Sequence, residues 1–140
     1  MVHVLAVVVW IGGVWFVTAV VLPEMQLREF DALERRFAAQ VRVAVVLVLL
    51  SGLAMLQQYD MWDRFGDAGF WWMHLMVFVW LLFALVLFVL EPLALHRFVA
   101  RRATVAPEAT LKLVLWFHRF MLALSLLAVA AAAGGAHGLF

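Results

Sequence analysis

Four long apolar runs constrain the fold of this chain more than any other feature of its sequence. They cover residues 2–22, 41–57, 70–90 and 113–133. Each is long enough to cross a hydrocarbon core of about 30 Å as a helix. Their apolar residues are continuous rather than alternating, which favours helices over the strands of a barrel. The sequence therefore predicts an all-α, polytopic membrane protein whose single domain, residues 1–140, is a four-transmembrane-helix bundle.

The composition indicates that lipid is the surrounding solvent. Of the 140 residues, 69% are hydrophobic and 14% are charged, and the mean hydropathy is +1.08. A soluble domain keeps an apolar fraction of roughly 45–50% because it needs a polar surface. The lipid bilayer is thus the expected partner, and the small loops are compatible with a homo-oligomer or a larger membrane complex. Cysteine is absent, which excludes disulfides and thiolate metal sites.

The basic residues predict the orientation of the bundle. Nine of the ten Lys and Arg residues lie in or beside regions 23–42 and 91–119, and the tenth is Arg64. The positive-inside rule then predicts that both chain ends and the loop at 58–69 face outward. Because topology accounts for these charges, no nucleic-acid partner is expected. Residues 24–40 carry apolar side chains at helical spacing, which predicts an amphipathic interfacial segment.

Two histidines are the main candidates for a metal site. Ionisable residues in membrane spans are costly and often functional. His3 begins the first run and His74 lies about one turn into the third, so we expect both at a similar depth in the outer leaflet. Paired imidazoles bind a b-type haem axially, and imidazole also suits copper. Each histidine taken alone could instead be an interfacial residue that bonds to a loop.

Other residues extend this candidate site. Further candidate metal ligands are Met73, Met76, His118 and His137, because thioethers and imidazoles suit Cu(I) when thiolates are absent. Candidate cofactor-binding residues are Trp10, Gly12, Gly13 and Arg119. The glycines would let a macrocycle or a neighbouring helix approach closely, and the guanidinium would bind a carboxylate. Methionine and glycine also serve ordinary helix packing. No nucleophilic triad, P-loop or dinucleotide motif occurs, and no catalytic residue is assigned.

Short motifs along the whole chain resemble a known family. The opening VHVLAVVVWIGGVWF, then RRF and LLSGL, then WWMHLM and AVAAAAGG resemble the membrane domain of the CopD (copper resistance protein D) family and its short stand-alone relatives. The resemblance implies a multi-pass helical bundle in a bacterial inner membrane with a role in copper homeostasis. His3 and His74 fall where intramembrane histidines of that family recur.

A more distant likeness is to the HemJ-type protoporphyrinogen oxidases, which are short helical haem-binding membrane proteins. In that family a lysine follows the third-helix histidine in a His-x-Lys pattern, whereas this chain has His74-Leu75-Met76. The Asn-Glu pair of that family's last helix is not found near His118. These departures argue against oxidase activity but not against haem binding.

Three functions therefore stay open at the level of sequence. The first is a copper-binding or copper-translocating bundle. The second is a b-type haem protein for electron transfer or for quinone or porphyrin oxidation, and any enzyme activity would then be that of a haem-dependent oxidoreductase. The third is a cofactor-free accessory subunit of a membrane complex.

Overall fold

The fold is entirely helical. The computed structural model describes residues 1–24 and 27–139, with side chains described except at 24–36, 94–96 and 100. The structure is 93% helical, and no strand occurs in the described residues. Four of the described helices are long and apolar enough to span a membrane. The predicted all-α, four-span membrane protein is confirmed.

The spans are numbered here in chain order. They are the first span Val2–Val21, the second span Phe37–Gln58, the third span Ala68–Leu93 and the fourth span Pro107–Ala136. The helical segments are Val2–Phe16, a π-helical turn Val17–Val21, Leu22–Glu24, Leu27–Gln58, Trp71–Ala84, a π-helical segment Leu85–Leu95, His96–Val105 and Pro107–Ala136. A 3₁₀ turn, Trp62–Gly66, lies between the second and third spans, and a second 3₁₀ turn, Ala68–Phe70, begins the third span. The helix His96–Val105 joins the third span to the fourth and is called the basic helix.

The four spans pack as a closed bundle. The first span packs mainly against the second and the third mainly against the fourth, while weaker contacts join first to fourth and second to third. The first and third spans therefore occupy opposite corners. They still meet in the core, where the rings of Trp10 and Phe83 pack edge to face with centroids 4.8 Å apart. Val45 of the second span is fully buried in the same core.

The outward faces of the spans carry large apolar side chains. Phe78, Leu81, Trp116 and Leu127 are each more than half exposed in the isolated chain. Soluble monomers rarely expose contiguous apolar surface on this scale. Because these faces circle the bundle, we conclude that they contact lipid.

Several helix boundaries differ from the predicted ones. The helix that carries the second span already begins at Leu27, so residues 27–40 are helical and continuous with that span. That this segment lies at the interface stays a prediction. Residues 96–105, which lie between the third and fourth apolar runs, form the basic helix. Arginine is a good helix former, and no glycine interrupts residues 93–105. The fourth helix starts at Pro107, where a first-turn proline costs no hydrogen bond.

The glycine pair at the end of the fourth span packs against the third span. Gly134-Gly135 predicted a helix stop after residue 133, but the helix continues to Ala136. A Cβ on Gly135 would overlap the indole of Trp72. Small residues let membrane helices approach closely and gain van der Waals contact. Gly135 therefore leaves the space that the Trp72 ring occupies, and this contact joins the third span to the fourth.

Substituting Gly135 tests this packing. We expect Gly135→Ala to lower the melting temperature of the detergent-solubilised protein by several degrees, because the added methyl group would displace the Trp72 indole. The matched control is Gly12→Ala, where a Cβ would meet nothing within 4 Å. Alanine favours helix by about 1 kcal/mol over glycine, so the control should melt at the same temperature or higher. Equal melting temperatures for the two variants would contradict the packing role.

A proline explains the π-helical end of the third span. Pro92 lies inside the segment Leu85–Leu95, and proline both lacks an N–H and crowds the preceding turn. In π-helical geometry the carbonyl of Leu87 would accept from the N–H of residue 92, which proline does not have. Arg42 of the second span supplies the missing donor, since its Nε lies 3.3 Å from the Leu87 oxygen.

Arg42 also forms an ion pair with Glu91. Its Nη2 lies 2.8 Å from Glu91 Oε1, so one guanidinium binds both a carboxylate and a backbone carbonyl. At the start of an apolar run the long side chain of Arg42 can extend toward the interface. The sequence also leaves Glu24 and Glu91 as the acids available to Arg119. The structure instead joins Glu91 to Arg42 and thereby fastens the second span to the third.

A double-mutant cycle separates the two bonds of Arg42. We expect Arg42→Gln to destabilise the protein, and we expect the loss to shrink by about 1 kcal/mol when Pro92 is also replaced by alanine. The reason is that alanine at position 92 brings an N–H that the Leu87 carbonyl can accept. Unfolding in a mild denaturing detergent, followed by circular dichroism, measures the four free energies. Purely additive effects would mean that Arg42 acts through Glu91 alone.

Candidate functional site

His3 is bound to the second span. Its side chain is half-buried, and its Nδ1 lies 3.0 Å from Ser51 Oγ. The ring passes over Gly52, where an added Cβ would lie 3.5 Å from His3 Cε1. The small residues Ser51 and Gly52 thus make room for an imidazole between two membrane helices. The end of the bundle that carries this contact is called the His3 end.

The hydroxyl of Ser51 indicates which nitrogen of His3 carries the proton. Ser51 Oγ lies within hydrogen-bond distance of the carbonyl oxygens of Leu47 and Val48 in its own helix. A serine hydroxyl has a single proton to donate, and these carbonyls can only accept it. Ser51 Oγ therefore accepts from His3 Nδ1–H. His3 Nε2 then holds the lone pair, which is the form in which imidazole binds a metal.

His74 is held by the loop that precedes the third span. Its Nε2 lies 3.2 Å from the carbonyl oxygen of Phe65, so Nε2–H donates and Nδ1 keeps the lone pair. The rings of Phe65 and His74 also pack edge to face, with centroids 5.4 Å apart. No hydrogen bond or ring contact joins His74 to His3 within the described part of the chain. Each of the two candidate ligands is thus positioned by its own neighbours.

The other two candidate histidines bond to their own helix. His118 Nδ1 lies 2.9 Å from the Val114 oxygen, and His137 Nδ1 lies 2.8 Å from the Ala133 oxygen. His118 is half-buried and also packs against Phe117, whereas His137 is exposed. His118 lies in the first half of the long fourth helix and His137 at its far end. The structure therefore separates these two residues along the fourth helix.

The candidate cofactor residues occupy different environments. Trp10 is 4% exposed in the bundle core, and its Nε1 has no hydrogen-bond partner among the described residues. A Cβ on Gly13 would lie 2.7 Å from the ring of Phe37, whereas Gly12 faces open space. Arg119 is exposed on the fourth helix. The close approach expected at Gly13 is thus that of the Phe37 ring of the neighbouring helix.

The methionines near His74 differ in burial. Met73 is 5% exposed and belongs to the packed interior, and Met76 is partly exposed. Across the described residues, no group of three or more His, Cys, Asp or Glu side chains is arranged to hold a metal ion. A metal site in this region would need ligands besides these four residue types, and thioethers are such ligands for Cu(I).

Ser51 is a residue of the candidate site that the sequence pattern does not single out. It was noted only as part of the LLSGL motif. A serine inside an apolar run usually donates to the carbonyl four residues before it. That local bond gives no sign that the same oxygen can also accept a hydrogen bond from another helix. The signal available in the sequence was the adjacent Gly52, because a small polar residue beside glycine leaves room for a partner from another helix.

Comparison of the chain with family models, curated proteins and solved structures gave no match.

Proposed function

We propose that the chain is a CopD-like integral membrane protein that binds copper at its His3 end. The proposal includes a role in copper homeostasis, a location in a bacterial inner membrane, and an orientation with the His3 end outside. His3 is the ligand on which it depends. The carrying observation is the hydrogen bond between His3 Nδ1 and Ser51 Oγ at 3.0 Å.

That hydrogen bond supports metal binding because it leaves the lone pair of His3 Nε2 available. Histidines that bind metals usually donate their second ring N–H to a fixed acceptor, which sets the tautomer and the orientation of the ring. Ser51 Oγ is such an acceptor, and it is itself fixed by two carbonyls of its own helix. His3 Nε2 is therefore an oriented lone pair at the end of a membrane span.

The residues around this end favour a soft metal ion. Met55 follows Ser51 by one helical turn, and His74 and Met76 lie near the start of the third span. Cu(I) accepts imidazole and thioether ligands when no thiolate is present. We propose that His3 Nε2 binds Cu(I) together with His74 or with one of the thioethers.

The interior of the bundle supports binding at one end rather than passage through a single copy. The buried polar side chains among the described residues are Thr18, Thr110 and Ser125. Each hydroxyl bonds to the carbonyl four residues earlier in its own helix. The layers between them are aliphatic and aromatic. We therefore propose that movement of copper across the membrane requires an oligomer or a partner protein.

Competition with a chromophoric chelator tests the copper site. The full chain in detergent is titrated with Cu(I) and a bicinchoninate chelator under reducing conditions. We expect one strongly held Cu(I) per chain, and we expect His3→Ala to remove it because the oriented lone pair is lost. The matched control is His137→Ala. His137 lies at the His3 end of the bundle, but its ring bonds to the Ala133 carbonyl of its own helix. Unchanged copper affinity in His3→Ala would refute the site.

Ser51 is tested as a positioning residue. We expect Ser51→Ala to weaken Cu(I) binding by about 10- to 100-fold, the usual effect of removing an outer-shell partner of a metal-bound histidine. Ser51→Thr keeps the hydroxyl and should restore most of the affinity. Melting temperatures of the copper-free proteins provide the control, because a purely structural serine would alter stability and leave the affinity unchanged.

A haem protein is the second candidate function, and one observation favours it. Trp10 Nε1 is a buried donor that lacks an acceptor in the described part of the chain, and it lies on the same helical face as His3, seven residues away. An unpaired buried donor costs about 1–3 kcal/mol, which an oxygen of a bound organic cofactor would recover. Phe37 fills the space at Gly13, and this contact argues against a macrocycle at that position.

An absorption spectrum separates the two candidates. A haem-binding chain expressed with excess haem would show a Soret band that His3→Ala abolishes. A colourless protein that holds copper supports the first proposal. A chain that takes up neither group, but is stable only when purified with another membrane protein, would instead be an accessory subunit.

A further inference from the structure

The basic helix presents a surface that is both cationic and apolar. Arg97, Arg101 and Arg102 are exposed along it. Together with Leu93, Phe98 and Val105 they line an open cleft of about 620 Å³. The side chains of Val99, Ala103 and Ala106, spaced four and three residues apart, are partly buried on the opposite face. The basic helix thus rests on the bundle through small residues and turns its arginines and large apolar residues outward.

The arginines of this surface have no acidic partner in the part of the chain that the structure describes. Among the described residues, no ion pair joins Arg97, Arg101 or Arg102 to a carboxylate. Arg97 and Arg101 are four residues apart, so their guanidinium groups lie on one side of the helix, and Arg102 lies one position further round. Several guanidinium groups gathered in this way bind phosphate oxygens with charge-assisted hydrogen bonds.

The apolar part of the cleft distinguishes one kind of anion from others. Leu93 is 69% exposed and Val105 is 85% exposed, with Phe98 between them. Leu93 is also the last residue of the third span, so the cleft begins where this apolar span ends. Water would leave these side chains unfavourably solvated, and a free phosphate would not cover them. A molecule with a phosphate head and acyl chains satisfies both halves of the surface.

We infer that the cleft on the basic helix is a binding site for an anionic phospholipid. The phosphate lies among Arg97, Arg101 and Arg102, and the acyl chains run along Leu93 and Phe98. The positive-inside rule explains why basic residues follow the third span. It does not explain why three of them share an exposed helix face with large apolar side chains. This inference concerns the end of the bundle opposite His3 and is independent of copper binding.

Native mass spectrometry of the full chain in detergent tests the site. The chain is titrated with dioleoylphosphatidylglycerol, with dioleoylphosphatidylcholine and with inorganic phosphate. We expect phosphatidylglycerol to bind at least tenfold more tightly than phosphatidylcholine. Each Arg→Gln substitution at 97, 101 or 102 should weaken phosphatidylglycerol binding by about fivefold. The matched control is Lys112→Gln, which removes an exposed cation outside the cleft and should leave the affinity unchanged.

Several outcomes would overturn the inference. They are equal binding of the two lipids, full binding by the triple Arg→Gln variant, or saturation of the site by inorganic phosphate at the same concentrations. Tighter binding of a polyglutamate peptide than of phosphatidylglycerol would assign the surface to an acidic protein instead. If the triple variant fails to fold, the salt dependence of phosphatidylglycerol binding to the wild-type chain tests the arginines instead. Phosphatidylglycerol affinity should fall as salt rises, and an affinity that ignores salt would refute the role of the arginines.

Discussion

The hydrogen-bonding needs of the backbone in an apolar solvent are the constraint on which this structure depends. Lipid offers no donors or acceptors, so each N–H and C=O must be satisfied within the protein, at a cost of several kcal/mol where it is not. Continuous helices meet this demand, but a proline inside a helix lacks the N–H that one carbonyl needs. At Pro92 the helix widens, and Arg42 reaches from the second span to the Leu87 carbonyl. An arginine of the second span therefore supplies the hydrogen-bond donor that the proline of the third span lacks.

The same constraint gives the hydroxyl groups of the bundle their different roles. Thr18, Thr110 and Ser125 are buried and bond to carbonyls of their own helices, which satisfies them without adding contacts between helices. Ser51 also donates within its helix, but His3 uses its remaining lone pair. One hydroxyl thus satisfies itself and fixes the tautomer of a neighbour. Trp80 joins a different pair of spans deeper in the bundle, because its Nε1 donates from the third span to the Val45 carbonyl of the second span at 2.9 Å.

The sequence predicted the parts of the fold that depend on hydrophobicity alone. Four apolar runs are sufficient to predict four spans, because lipid leaves such runs no alternative to helix. The parts that depend on partners were not predictable in this way. Gly134-Gly135 signals a helix stop wherever nothing packs on it, and Trp72 lies 63 residues away from Gly135 in the sequence. The pairing of Glu91 with Arg42 was equally unpredictable, since sequence alone does not show that Arg42 faces the third span.

The candidate site follows the same division between local and partner-dependent features. His3 and His74 stand out in the sequence because imidazoles are rare in apolar runs, whereas the acceptors that orient them, Ser51 and the Phe65 carbonyl, depend on tertiary contacts.

Position along the span then determines what each polar group can do. A neutral imidazole at the very end of a span keeps one nitrogen available to an incoming ion, while the middle layers around Val45 admit none. A charged guanidinium at the opposite end must be paired, as Arg42 is with Glu91, or must attract an anion from its surroundings. The two sites proposed for this bundle therefore lie at its two ends, with oriented imidazoles at one end and exposed arginines at the other.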